Sequence, residues 1–315
     1  RLDEILLFNR LSRAHMTDIV EIQLGRLRKL LADRKVDLEL DAKSLQWLAN
    51  RGYDPVYGAR PLKRVIQRSL QDPLSFRCVP QTHGACYDAH AYCRGTMEVE
   101  LNSASDNPLV LLDDQSIISV GNFDVVALAV AFDLLRVAVA QVVHLANERI
   151  QKHLWSQFSG LPAGLAASDG DEGLRPLGYT SASLAAEARV LANPVSLDYR
   201  GQIAEGFEDH ASMAPLGVRK TEELLSIACR TAALELTVAT RAIDLRGGAP
   251  LGAGTGIAHD IAREFATTDP EERWPDVDGL TQAIDSGRLV GRVAAEIGPL
   301  EPVSTTGDAV GPAEG

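Results

Sequence analysis

Residues 70–81 read LQDPLSFRCVPQ, and the fold depends on whether this stretch closes the segment before it, opens the segment after it, or does both. Before it the pattern mixes two periods. EILLF, residues 4–8, is a short apolar strand candidate, and in residues 12–35 Val20, Leu24, Leu27, Leu30 and Leu31 recur at helical spacing. VDLELD, residues 36–41, alternates as a half-buried strand does, Asp41 is placed to cap the helix AKSLQWLANR, and Gly52 ends it. A last helix begins near Arg60 and runs through PLKRVIQRSLQ. These elements predict a small α/β unit. After Gln71 nearly every segment reads as helix and no alternating strand is expected. The strongest helices are residues 125–155, 181–191 and 221–246, which predict a long-helix bundle. The fold class is therefore mainly α. Residues 161–178 and 247–256 are expected to be loops, and the Gly/Pro-rich residues 301–315 a disordered tail.

A length of 315 residues suggests two domains. The composition, 45% hydrophobic and 23% charged, is that of a soluble globular protein. A net charge of -12 argues against a nucleic-acid partner. The first seventy residues nevertheless concentrate Arg26, Arg28, Lys29, Arg34, Lys35, Arg60, Lys63, Arg64 and Arg68, an asymmetry that fits two origins or a solvated helix face. Four cysteines without a signal sequence predict reduced thiols and a cytoplasmic location. The chain opens on Arg1 rather than Met, so its start is expected to be missing. Residues 125–143 approach the length of a membrane span. They contain Asp133 and Arg136, which can pair at a three-residue spacing, so a buried core helix is expected and no membrane partner.

Cys78, His83, Cys86, His90 and Cys93 fall within sixteen residues, yet on one helix they spread too far along the axis for more than two to reach one ion. No metal is expected. GGAPLGAGTG, residues 247–256, follows a helix and lacks a Lys-Ser/Thr ending, so it is not a phosphate loop. In GFEDHASM, Glu208, Asp209 and His210 offer an acid/base grouping, with a solvated helix start as the plain alternative.

Two resemblances follow from longer motifs. RLDEILLF, IVEIQLGRLRKLLADRK, VDLELD and GYDPVYGARPLKRVIQ make residues 1–71 similar to the C-terminal small subdomain of ClpB-type AAA+ disaggregases. The resemblance implies that Arg60 senses nucleotide and that Arg1 reaches a neighbouring subunit's ATP. The family's last strand is missing, and no GxxxxGK[ST] loop or magnesium-binding acidic pair occurs, so no ATPase activity is expected. QDPLSFRCVPQTHGA, ELNSASDNPLV, SVGNF, ANERI with SGLP, YTSASLAAE and EGFEDHASM with MAPLGVRK make residues 72–300 resemble the C-terminal half of the histidine and aromatic amino-acid ammonia-lyases. On both resemblances QDP is shared, which answers the opening question with a seam and a chimera.

The lyase resemblance implies non-oxidative removal of ammonia from an amino acid by a methylideneimidazolone group formed from Ala-Ser-Gly. That tripeptide is absent from the 315 residues: the Ala-Ser pairs from Ala104, Ala167, Ala182 and Ala211 continue into Asp106, Asp169, Leu184 and Met213. By the same resemblance Gln71 and Arg77 lie at the substrate, Arg77 pairing its carboxylate. Phe123 packs against electrophile or substrate, and Glu208 recognises or deprotonates the substrate. Glu-Asp-His leans toward the histidine branch. Leu74 replaces a tyrosine that takes part in catalysis in many members. The family is tetrameric with pockets assembled from several subunits. The chain alone is expected to be inactive, and to associate with itself or with a complete lyase.

Overall fold

The computed structural model describes residues 15–32, 38–54, 59, 61–66, 74–168, 170–198, 201, 204–248, 250–266 and 274–298. The first three helices close around their own apolar cluster. α1 (Met16–Ala32) buries Met16, Val20, Leu24 and Leu27, the face its periodicity predicts. α2 (Ala42–Arg51) starts where the Asp41 carboxylate accepts the Ser44 amide at 2.7 Å, and stops where the Gly52 amide donates to the Leu48 carbonyl at 2.8 Å. Leu62 of α3 (Leu62–Ile66) lies so near Gly52 that a β-carbon there would meet its Cδ1 at 2.4 Å. Leu48, Leu62 and Ile66 join the α1 residues in one core, each fully buried aliphatic side chain contributing about 1.5–3 kcal/mol.

The strand expected at residues 36–41 is not found over the part described, residues 38–41. The Leu38 carbonyl instead accepts Arg28 Nε at 2.9 Å, and Leu38 and Leu40 rest on the helical cluster. Alternation supplies an apolar face, but a strand also needs a ladder partner. EILLF, the other strand candidate, lies outside the described residues.

Beyond residue 73 four helices run up and down. After α4 (Leu74–Arg77) come α5 (Val79–Leu101), α6 (Val126–Leu154), α8 (Arg175–Leu191) and α9 (Ala214–Leu245), with the short α7 (Ser156–Ser159) between α6 and α8. Contacts fix their directions. Arg136 meets Leu191 while Gln151 meets Gly178, so α8 is antiparallel to α6. Arg136 meets Gly217 while Arg149 meets Glu235, so α9 is parallel to it. Ala89 and Cys93 of α5 pack with Leu135, Val139 and Val143 of α6 and Leu224 and Ile227 of α9.

α6 is long and apolar enough to cross a membrane, yet its charged residues Asp133, Arg136 and Arg149 are buried against protein. Arg136 is fully buried, paired with Asp133, and donates to the carbonyls of Leu191 at 3.1 Å and Gly217 at 2.8 Å. Asp133 in turn accepts the amides of Val195 at 3.1 Å and Ser196 at 3.0 Å. The pairing expected from the three-residue spacing thus joins α6, α8, the turn after it and α9.

Between α5 and α6 the chain forms a hairpin that the helical reading does not predict: β1 (Leu109–Leu111) pairs antiparallel with β2 (Ser116–Ile118), Leu111 opposite Ser116. Three-residue strands are too short to display the alternation by which strands are recognised. Both expected glycine-rich loops are also shortened by helix starts. α8 begins at Arg175 because Pro176 suits a first turn, which lacks amide partners anyway. α10 (Ala253–Glu264) begins inside 247–256, with Gly252 at its cap. With α11 (Val277–Asp285) and α12 (Arg288–Ile297), α10 closes on α9 through Ala233, Ile261, Ala262 and Leu280. Residues 301–315 lie outside the described residues.

Gly164 and Gly173, both with positive φ, hold the turn before α8. Gly164 has φ +68°, and a β-carbon on it would fall 2.3 Å from the Glu172 carbonyl oxygen; its own carbonyl accepts the Leu174 amide at 2.7 Å. Gly164→Ala meets both a left-handed backbone and a backbone clash. It is expected to destabilise the bundle by roughly 1–3 kcal/mol in urea unfolding, whereas Gly256→Ala, where a β-carbon meets nothing within 4 Å, leaves stability nearly unchanged.

Candidate functional site

The residues expected to act lie on two faces, one at each end of α6. At its N-terminal end three loops that are distant in sequence are tied together. Asn107 Oδ1 accepts Ser119 Oγ at 3.2 Å and the Val120 amide at 3.0 Å, and Asn122 Nδ2 donates to the Ala104 carbonyl at 3.3 Å. The stretches ELNSASDNPLV and SVGNF therefore form one unit. His210 Nε2 then meets Asp124 Oδ2 at 2.9 Å, which brings the loop carrying Glu208 against the turn carrying Phe123.

The Glu-Asp-His run is neither a helix start nor an internal acid/base pair. It precedes α9 as irregular chain, and the carboxylate that engages His210 is Asp124. Glu208 and Asp209 remain exposed, as does Phe123 with 58% of its surface accessible. An exposed carboxylate beside an exposed aromatic ring can take a proton from, and pack against, a molecule held on this face. Asp124 and Asn107 were not singled out by sequence reasoning. The available signals were their places directly after GNF and inside ELNSASDNP.

At the other end of α6, Arg77 ends α4, where Leu74 is exposed. Arg149 fixes this short helix: Nη1 donates to the Ser75 carbonyl at 3.1 Å, while Nη2 binds Glu235 Oε2 at 2.8 Å and Nε binds Oε1. Phe76 stacks on Phe158 with centroids 5.8 Å apart and meets the His153 ring edge-on at 5.9 Å. Burial, with Arg149 nearby, holds the His83 imidazole below its ordinary pKa, and burial with Arg246 does the same to His153. Ser75 Oγ and His153 Nδ1 are buried without a hydrogen-bond partner among the described residues. Gln71, Arg60 and Arg1 lie outside the described residues.

α6 has 29 residues and is about 43 Å long at 1.5 Å per residue. Arg77 is anchored near its last turns, and Phe123 precedes its first. The His210–Asp124 contact joins the segments that carry Glu208 and Phe123, while Arg77 lies at the other end of the helix.

His83, Cys86, His90 and Cys93 lie on one continuous helix, α5, and Cys78 directly precedes it. Among the described residues no three His, Cys, Asp or Glu side chains converge on one point. Burial raises the thiol pKa of Cys86 and Cys93, which pack at the core.

The family model described as aromatic amino acid lyase matches residues 26–264. Histidine ammonia-lyase from Symbiobacterium thermophilum is 38% identical over 247 residues, covering 78% of this chain and 48% of that protein. Among solved structures, histidine ammonia-lyase from Trypanosoma cruzi superposes with a TM-score of 0.65 at 26% identity, over 90% of this chain and 56% of that one. The ergothioneine-degrading enzyme ergothionase from Treponema denticola gives a TM-score of 0.65 at 29% identity, over 78% of this chain and 53% of that one. This chain spans about half the length of the relatives it matches. The family match begins at residue 26, inside the basic segment, and gives no support to a seam near Asp72.

Proposed function

The chain belongs to the aromatic amino acid lyase family, and from that premise we propose that it supplies part of the pocket in which ammonia is eliminated from an amino acid. The observation that supports this reading is the His210–Asp124 contact, which unites the motif loops that carry Glu208 and Phe123. Glu208 is the group that recognises or deprotonates the substrate, and Phe123 packs against it. Arg77, with Gln71, pairs the substrate carboxylate through a bidentate guanidinium. Leu74 offers no hydroxyl, so no proton is carried at that place. Glu-Asp-His favours a histidine-type substrate.

Because Arg77 and Glu208 sit at opposite ends of α6, one pocket needs both ends from different copies. An exposed apolar stripe on α6, Val126, Val130, Leu134 and Val137, supports such assembly. Methylideneimidazolone supplies the family's electrophile when present. These 315 residues contain no Ala-Ser-Gly to form it, so no step runs through that group. By itself the present chain is inactive.

The test is complementation. The chain is mixed with the N-terminal half of a histidine ammonia-lyase that carries Ala-Ser-Gly, and urocanate is followed by its absorbance. Product above the rate of either component supports the reading. None across a range of mixing ratios, with complex formation verified by light scattering, overturns it.

A second reading concerns residues 1–71 as a disaggregase fragment docking into a AAA+ ring. It is favoured by one observation, the self-contained cluster of α1, α2 and α3. It fails if the chain neither co-purifies with a ClpB-type ring nor alters its ATP turnover.

A further inference from the structure

Between the C-terminal half of α9, the turn at residues 165–174 and the end of α10 lies a cavity of about 450 Å³, a size suited to a small organic molecule. It belongs to neither face described above. One wall is apolar, formed by Leu165, Leu174 and Ala262. The other is polar: α9 contributes Thr240, Arg241 and Asp244, and α10 adds Arg263.

The acidic groups there are already engaged. Asp244 meets His259 Nε2 at 3.0 Å and Arg263 Nε at 3.7 Å. Asp171 accepts the amides of Ala167 at 3.3 Å and Gly173 at 3.1 Å. Among the described residues the cations keep capacity. Arg241 spends Nε on the Leu165 carbonyl at 3.3 Å, which anchors the guanidinium at the cavity and leaves the other donors of its planar fork. Arg263 touches Asp244 only at long range through Nε. Two arginines with spare donors, beside an apolar wall, recognise an anion with an apolar body; an ammonium group finds its carboxylates already paired.

We propose that this cavity binds a small organic carboxylate, its charge held by Arg241 and Arg263 and its body laid against Leu165 and Leu174. The inference does not rest on the lyase reading. It is read by binding to the chain alone.

Benzoate is the probe and benzamide its neutral counterpart of the same shape, each titrated calorimetrically into the full chain. Benzoate is expected to saturate one site and benzamide to bind about tenfold more weakly or worse, the loss of a charge-assisted hydrogen bond. Arg263→Gln is expected to weaken benzoate by about fivefold or more on the same grounds, with an unchanged melting temperature because Arg263 is largely exposed. Arg94→Gln, on the exposed side of α5 where it pairs with Glu98, leaves benzoate binding as it was. Equal affinity for benzamide, no benzoate binding, or a loss in Arg94→Gln but not in Arg263→Gln overturns the proposal.

Discussion

Asp133→Asn is expected to destabilise the chain by about 3–5 kcal/mol in urea unfolding, the cost of leaving a buried charge without its partner. Asparagine keeps the shape of aspartate and removes only the charge, so Arg136, 0% exposed, remains cationic inside the bundle. It retains the carbonyls of Leu191 and Gly217 and the Thr221 hydroxyl at 3.3 Å, which satisfy donors but do not neutralise charge. The amides of Val195 and Ser196 also lose a charged acceptor. The double variant Asp133→Leu with Arg136→Met is expected to be less destabilised than Asp133→Asn, since a buried pair replaced by apolar groups loses its desolvation penalty together with its attraction. If the single variant unfolds within about 1 kcal/mol of the parent, less than a typical mutational effect, the network does not join the helices as described.

The same carboxylate sets an acid limit. Burial pushes the Asp133 pKa up, but the Ser196 and Val195 hydrogen bonds and the Arg136 charge together outweigh burial and hold it below the ordinary value of 3.8. A depressed carboxyl contributes stability that is fully present above the unfolded pKa and is lost as pH falls through the folded one. Stability therefore declines below about pH 4, and Asp133→Asn flattens that part of the pH profile. An unchanged acid slope in the variant would assign the decline to other carboxylates.

In the complemented enzyme Glu208→Gln is expected to lower kcat by roughly 10²–10⁴, the range for removing a positioned proton-transfer group. Glutamine preserves the size of the side chain and its hydrogen bonding, so substrate affinity changes little. Arg77→Gln acts differently, lowering kcat/KM by about a hundredfold, mainly through KM, because it removes a bidentate grip on the substrate carboxylate. Steady-state urocanate formation separates the two. A Glu208→Gln enzyme within about twofold of the parent, well short of a general acid/base effect, would leave Glu208 without its assigned role. His210→Gln, which loosens the contact with Asp124, is expected to fall between them, with the shape of the pH profile unchanged.

Much of this molecule is written locally. Asp41 and Gly52 bound α2 because a carboxylate and a glycine satisfy helix ends through neighbours three or four residues away. The identity of α6 as a core helix follows from Asp133 and Arg136 at a spacing that lets them pair. The motifs that carry the family resemblance are contiguous runs, so the family is legible without the fold. What local pattern could not supply was partnership across long separations. Residues 38–40 alternate as a strand yet form none, because the Leu38 carbonyl is taken by Arg28, while the hairpin after α5 was too short to show any period. His210 found Asp124 across 86 residues, and Arg77 came to rest at the far end of α6 from Phe123 and Glu208. The sequence determined the ends of α2, the place of α6 in the core and the family to which the chain belongs. Only the tertiary structure decided which ends meet, since helix direction in a bundle is set by packing between distant side chains and not by the residues next to them.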